Sequence, residues 1–235
     1  MTDSYATTRR SLHRVAVHIV ARARVQATGR FSLRVTPGGF GTPEFGPDQR
    51  RVRVHGGVLV VESDAPGGAR QASMPIDGST VGQLAAFVGL DLDDPIDVGH
   101  DTPELGDPDA ALEVDQQAAG LLSDWLGLTH AALDGLVPLL SVHAAPTLLR
   151  LWPEHFDAAI DAAARSDVRA NFGGSVGDGF SASPYLYVGP WTADRPGDGD
   201  YWNAPFGASL AVADVPDVAA AVAFYREGLS RLSVD

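Results

Sequence analysis

The chain has 235 residues, a formal net charge of −13, 45% hydrophobic and 20% charged residues, and no cysteine. That length suffices for a sizeable core in one large domain or two small ones, and the composition excludes disorder throughout. The absence of cysteine rules out disulfides, thiolate metal sites and thiol nucleophiles, and the acidic balance argues against a broad nucleic-acid surface, which needs basic groups at the phosphates.

Charge is unevenly placed. Residues 1–70 carry 11 arginines against 5 carboxylates, whereas residues 71–235 carry 6 against 25. Lysine is absent, which we read as the codon usage of a GC-rich genome. No apolar run approaches the roughly 18 residues that cross a bilayer, and no basic-then-apolar leader opens the chain. The expectation is a soluble cytoplasmic protein without a membrane partner.

In chain order, residues 7–27 read as an amphipathic helix. Leu12, Val15, Ala16, Ile19 and Ala23 form its apolar stripe, Arg10, Arg14, His18 and Arg22 lie four apart on another face, and Gly29 is its stop. Arg30–Val35 alternates as a half-buried strand should. Thr36–Pro43 is dense in glycine and proline and reads as a loop. Arg51–Val54 and Val58–Glu62 flank Gly56-Gly57, a hairpin signal, and a turn follows at Ala65–Gly68. Thr80 and Gln83 fit a capping box that opens a short helix at 81–89.

Residues 91–115 hold ten carboxylates and three prolines. Apolar side chains are sparse there, so an exposed, irregular excursion is expected. Asp115 then caps a helix over 116–137, with Leu122, Leu126, Thr129, Leu133 and Leu136 on one stripe, Trp125 beside it, and Pro138 near its end. Strands are expected at 147–152, 169–172, 185–188 and 208–212. Residues 156–164 are ambiguous: alanine favours helix, while short length and flanking turns favour strand. Asp214 or Asp217 caps a last helix over 216–232, with Val218, Val222, Tyr225 and Leu229 inward. Strands not separated by regular helices speak against a doubly wound parallel sheet. The reading is an α+β fold, mainly antiparallel, with an N-terminal, a central and a C-terminal helix. It forms a single domain over 1–235, with any division into two subdomains falling near 138–146.

Functional signals concentrate late in the chain. Leu151–Asp157 reads LWPEHFD, Asn171–Asp178 reads NFGGSVGD, Pro184–Trp191 reads PYLYVGPW, and Tyr201–Ala208 reads YWNAPFGA. Glu154, His155 and Asp157 offer imidazole and carboxylate groups within four residues. On a strand, His155 and Asp157 would share a face, and His143 with Asp178 could complete a mixed nitrogen and oxygen metal site. The spacing matches no established metal signature, and the plainer alternative has His155 ordering a turn and Asp157 capping a helix. The glycine-rich 171–178 segment lacks the Gly-Lys-Ser/Thr of a phosphate loop, so close approach of a ligand or another backbone is its better use. Ser175 and Ser209 sit in no nucleophile motif. The run from Asp91 has Ile96 and Thr102 where a calcium loop needs glycine and glutamate. The N-terminal arginines are read as facing the acidic middle of the chain, or another copy of it.

The segments Leu12–Ala16 (LHRVA), Gly38–Pro43 (GGFGTP), Trp152–Asp157 and Tyr185–Trp191 give nearly the whole chain a likeness: it resembles a family of uncharacterised actinobacterial proteins. The likeness implies a lineage and carries over no catalytic residue.

The site expected from these residues is a small-molecule pocket at the C-terminal aromatic, histidine and carboxylate cluster. Trp152, Asn171, Asp178, Tyr185, Tyr187, Trp191, Trp202 and Asn203 would bind the ligand. His155 and Glu154 would be the catalytic pair, since imidazole titrates near operating pH. No metal is assigned, and no spacing names a cofactor or a reaction. The rival reading is a non-catalytic homo-oligomeric or interaction protein that uses the same aromatics as core or interface.

Overall fold

The computed structural model describes residues 3–65, 68–99, 102–193, 195–197 and 199–234. Pro66 and Gly67 of the expected turn, and Asp101 of the acidic stretch, lie outside the described residues. The fold is α+β with two antiparallel sheets, and helices stand at the N-terminus, centre and C-terminus. The chain divides into two compact units: Met1–Gly127 with Leu151–Phe156, and Leu128–Arg150 with Asp157–Asp235.

In the first unit, α1 (Asp3–Val15) runs into a π-helical stretch, Ala16–Ala21, and on into α2 (Arg22–Thr28). All six residues of the π-helical stretch are buried. Gly29 ends α2 in the left-handed conformation that glycine adopts without steric cost. The first sheet comprises β1 (Arg34–Thr36), β2 (Gly39–Gly41), β3 (Arg51–His55), β4 (Val58–Ala65) and β5 (Gly68–Pro75), in that order across the sheet. Two expectations change here. The 36–43 segment contains a strand: β2 pairs with β3, and a Cβ on Gly41 would lie 2.5 Å from that of Arg53, so glycine serves close strand packing. The strand expected at 30–35 shrinks to Arg34–Thr36, preceded by a single bridge between Leu33 and Leu151.

The helix α3 (Val81–Val88) carries the capping box in full, with Gln83 N–H donating to Thr80 Oγ1 and Thr80 N–H to Gln83 Oε1. Residues 91–115 are irregular, and every described carboxylate among them is exposed. The arginine stripe does face this stretch, but it grips carbonyls. Arg22 Nη1 donates to the carbonyls of Asp91 (2.9 Å) and Asp94 (2.6 Å), Arg14 Nη2 to those of Leu105 and Asp107, and His18 Nε2 pairs with that of Pro103. Arg22 is only 4% exposed. Burial is tolerable because the guanidinium replaces its water with main-chain acceptors.

The helix α4 (Gln116–Leu136) is capped by Asp115, whose Oδ1 accepts from Ala118 N–H, and its expected stripe of Leu122, Leu126, Thr129, Leu133 and Leu136 is buried. A short 3-10 turn at Val137–Leu139 and the strand β6 (Arg150–Trp152) follow.

The second unit is built on β7 (Asp157–Arg165), β8 (Val168–Ser175), β9 (Tyr185–Pro190) and β10 (Ala208–Ala211), which neighbour one another in the order β10-β9-β8-β7. The ambiguous alanine-rich segment is β7. Most of its side chains are buried, and pairing with β8 overrides alanine's helical preference. The helix α5 (Val218–Leu232), capped by Asp217, packs on β7 and β9. Its inward face is Ala221, Tyr225, Gly228 and Leu232, rather than the expected Val218, Val222, Tyr225 and Leu229. Small residues win because Val188 of β9 approaches to within 3.0 Å of where a Cβ on Gly228 would sit.

Candidate functional site

Strand register places the polar side chains of the second unit. Asp157 opens β7 opposite Ser175 at the end of β8, and Ser175 stands opposite Tyr185 at the start of β9. Side chains alternate along strands, so Tyr187 shares the face of Tyr185, and Gly173 lies directly across from it. A Cβ on Gly173 would lie 2.5 Å from the Tyr187 hydroxyl, so that glycine leaves room for the phenol ring. The expected loop at 171–178 is therefore a strand as far as Ser175, and its glycines admit side chains: Gly173 admits Tyr187, and Gly174 admits Thr129.

Two phenols end on two carboxylates. Tyr185 donates to Asp178 Oδ2 at 2.6 Å, and Tyr187 donates to Asp157 Oδ2. Asp178 also receives Ser175 Oγ (3.3 Å) and, at Oδ1, the N–H groups of Phe180 and Ser181. Asp157 is only 6% exposed. Burial first, and then the neighbouring aspartate, pushes both phenol pKa values well above the ordinary range. Both tyrosines therefore remain protonated donors. Phe180 and Phe206 complete the cluster, with ring centroids 4.9 Å apart and 5.3 and 6.1 Å respectively from Tyr185. Phe180 is 48% exposed, so the cluster has an open side. The sequence reading missed Asp157 as a phenol's partner and did not single out Phe180 or Phe206. The tyrosines spaced by two on a strand were the available signal.

The other expected residues of this unit have polar partners of their own. Trp191, six residues beyond Tyr185 on an extended path of roughly 20 Å, donates Nε1 to Asn171 Oδ1 at 3.2 Å and lies under the Arg169 guanidinium. Trp202 Nε1 donates to the Pro196 carbonyl, and Arg195 stacks over its ring. Asn203 bonds the backbone of Ser209 through both ends of its amide.

Trp152, Glu154 and His155 belong to the first unit. Trp152 packs against Phe31 with centroids 6.0 Å apart. His155 is exposed in a turn that ends at Phe156, whose φ of 53° is left-handed, and Asp157 beyond it is buried. The expected common face of His155 and Asp157 is thus corrected, because the chain turns between them. Asp157 opens a strand and caps no helix. Glu154 is buried, with its side chain beside Gly99. The imidazole packed against this turn is the half-buried His13: its Nε2 pairs with the Pro153 carbonyl at 2.8 Å, and its ring stacks on Phe156.

Among the described residues no group of three or more histidine, aspartate or glutamate side chains is placed to hold a metal ion. A cavity of about 650 Å³ opens in the first unit beside Asp3, Thr8, Asp77, Glu113 and Asp115, which only the fold brings together. Asp77 there accepts from Val114 N–H and Asp115 caps α4. No described helix is long and apolar enough to cross a membrane.

No family model matches the chain, and neither the curated proteins nor the solved structures compared with it give a match.

Proposed function

We propose that the protein binds a small organic molecule carrying a positive charge, at the Tyr185, Asp178, Phe180 and Phe206 end of the second unit's sheet. The observation that carries this reading is the Tyr185–Asp178 pair at 2.6 Å beside a half-exposed Phe180 ring. A carboxylate rimmed by aromatic faces suits an ammonium group, which gains both a counter-charge and the ring quadrupoles. The phenols are held protonated, so they serve as donors that orient the carboxylates rather than as bases. This favours binding over acid–base catalysis. An acidic chain further raises the local concentration of cations. Placement in the cytoplasm and the actinobacterial kinship rest on sequence alone and belong to the same proposal.

Titration with benzylamine and with benzyl alcohol, followed by calorimetry and tyrosine fluorescence, tests it. The amine binds the wild type, the alcohol binds at least tenfold more weakly, and Asp178→Asn removes the preference. Equal binding of the two probes, or of the amine to wild type and Asp178→Asn, overturns the reading.

A second reading, an interaction surface, draws on Trp191. The indole is 63% exposed yet held by Asn171 and Arg169, the form of a preordered aromatic anchor.

A further inference from the structure

The strand β5 closes one side of the first sheet and, among the described residues, pairs with β4 alone. Its ladder runs eight residues without a bulge, from Val58↔Pro75 to Ala65↔Gly68. Seven of its eight residues are exposed. Edge strands in stable proteins are usually short, bulged, covered or heavily charged. This one is long and regular, with Arg70 as its one charged side chain and a proline only at its end.

Hydrogen-bond alternation fixes which backbone groups face outward. Ile76 N–H donates to Gly57 O, so in the same register Leu59↔Met74, Val61↔Ala72 and Ser63↔Arg70 are the bonded pairs. The N–H and C=O groups of Ala69, Gln71 and Ser73 then point away from β4. Among the described residues, Gly68–Met74 make no hydrogen bond except to β4. A row of donors and acceptors at strand spacing is complementary to another strand.

We propose that β5 pairs antiparallel with β5 of a second copy of this chain, forming a two-fold dimer with a continuous sheet. The pattern admits only registers that put outward-facing residues opposite one another. Centring the two-fold axis on Gln71 sets Arg70 diagonally against its own copy, which repels. Centring it on Ala72 places Gln71 opposite Ser73 of the partner, with about four backbone hydrogen bonds. Arg70 then lies opposite Met74, whose half-buried thioether can take the apolar arginine stem. The two guanidinium groups stand four residues apart along the ladder, roughly 13 Å, beyond the screening length at physiological salt. Ala72 meets its own copy at a non-hydrogen-bonded position, where a small side chain permits the closest approach. Arginine, which disfavours the first register, is thus compatible with the second. A second copy is the occupant favoured because it brings the same edge in the register that these side chains select.

The test uses the full chain. Sedimentation equilibrium gives a mass twice the 24.6 kDa of the chain for wild type. Gln71→Pro, which removes an outward N–H without touching the β4 ladder, gives the monomer mass with unchanged circular dichroism. The protein has no cysteine, so Ala72→Cys adds a single thiol. At a non-hydrogen-bonded pair the Cα atoms lie about 4.5 Å apart, within disulfide range. Mild oxidation of Ala72→Cys yields a covalent dimer, and the exposed control Asp48→Cys does not. A wild type monomeric at every concentration, a dimer that survives Gln71→Pro, or equal cross-linking of both cysteine variants overturns the proposal. Should Gln71→Pro fail to fold, the cysteine pair decides alone.

Discussion

Tyr187 on β9 reaches across Gly173 of β8 to give its phenolic hydrogen to Asp157 at the start of β7. Three strands are tied at one level by a single side chain, and a missing side chain makes the passage. Tyr225 of α5 adds a second phenol on the same strand position, donating to the Gly173 carbonyl at 3.0 Å.

Gly173→Ala should therefore be among the most damaging small substitutions in the chain. The added methyl would lie 2.5 Å from the Tyr187 ring and 2.8 Å from the Ala158 carbonyl, and a buried backbone cannot yield. Overpacking of this kind costs about 1–3 kcal/mol. Urea unfolding should show that loss, with little recovery in the double variant with Tyr187→Phe, because the clash includes ring carbon and backbone. A change below about 0.5 kcal/mol would mean that the strands separate easily at this point.

Loss of Arg22 should loosen a loop rather than unfold a unit. Its guanidinium holds the carbonyls of Asp91 and Asp94, and Gln26 adds a bond to Asp91. Arg22→Met keeps the buried stem and removes the donors, at about 1.5–3 kcal/mol for charged hydrogen bonds. Hydrogen exchange should rise in residues 91–99 by tenfold or more, while β3 and β4 keep their protection. Uniform acceleration throughout the unit would show that the arginine supports the core instead.

These elements differ in how far the sequence discloses them. Helices α3, α4 and α5 are legible because caps and apolar periodicity act within a few residues, as Thr80, Asp115 and Asp217 illustrate. The strand β5 gives no such signal: exposed on both faces, it has no reason to alternate. The glycines of β8 look like a loop until the side chains of Tyr187 and Thr129 are seen to fill the space. The site divides for a similar reason. The tyrosines and Asp178 come together through strand register, a relation between segments, whereas His155, two residues before Asp157 in sequence, lies in a turn and not on the strand that Asp157 opens.

Acid should destabilise the protein in part through His13. Burial lowers the pKa of His13 to about 4, despite its bond to the Pro153 carbonyl, which opposes the shift. In the unfolded chain an imidazole titrates near 6.5. Between those values the unfolded state binds more protons than the native state, so stability falls as pH falls. The contribution of neutral His13 is complete above about pH 6.5, declines through the window down to about 4, and is gone below it. A shift of this size corresponds to roughly 3 kcal/mol, an upper figure for a partly exposed ring. His13→Gln can still donate to the Pro153 carbonyl but does not titrate. Unfolding free energies measured from pH 7 to 4 should fall more steeply for wild type than for His13→Gln, and the difference between the two isolates this histidine from the many carboxylates. Parallel curves would place the His13 ring in contact with water and remove it from the core around Phe156.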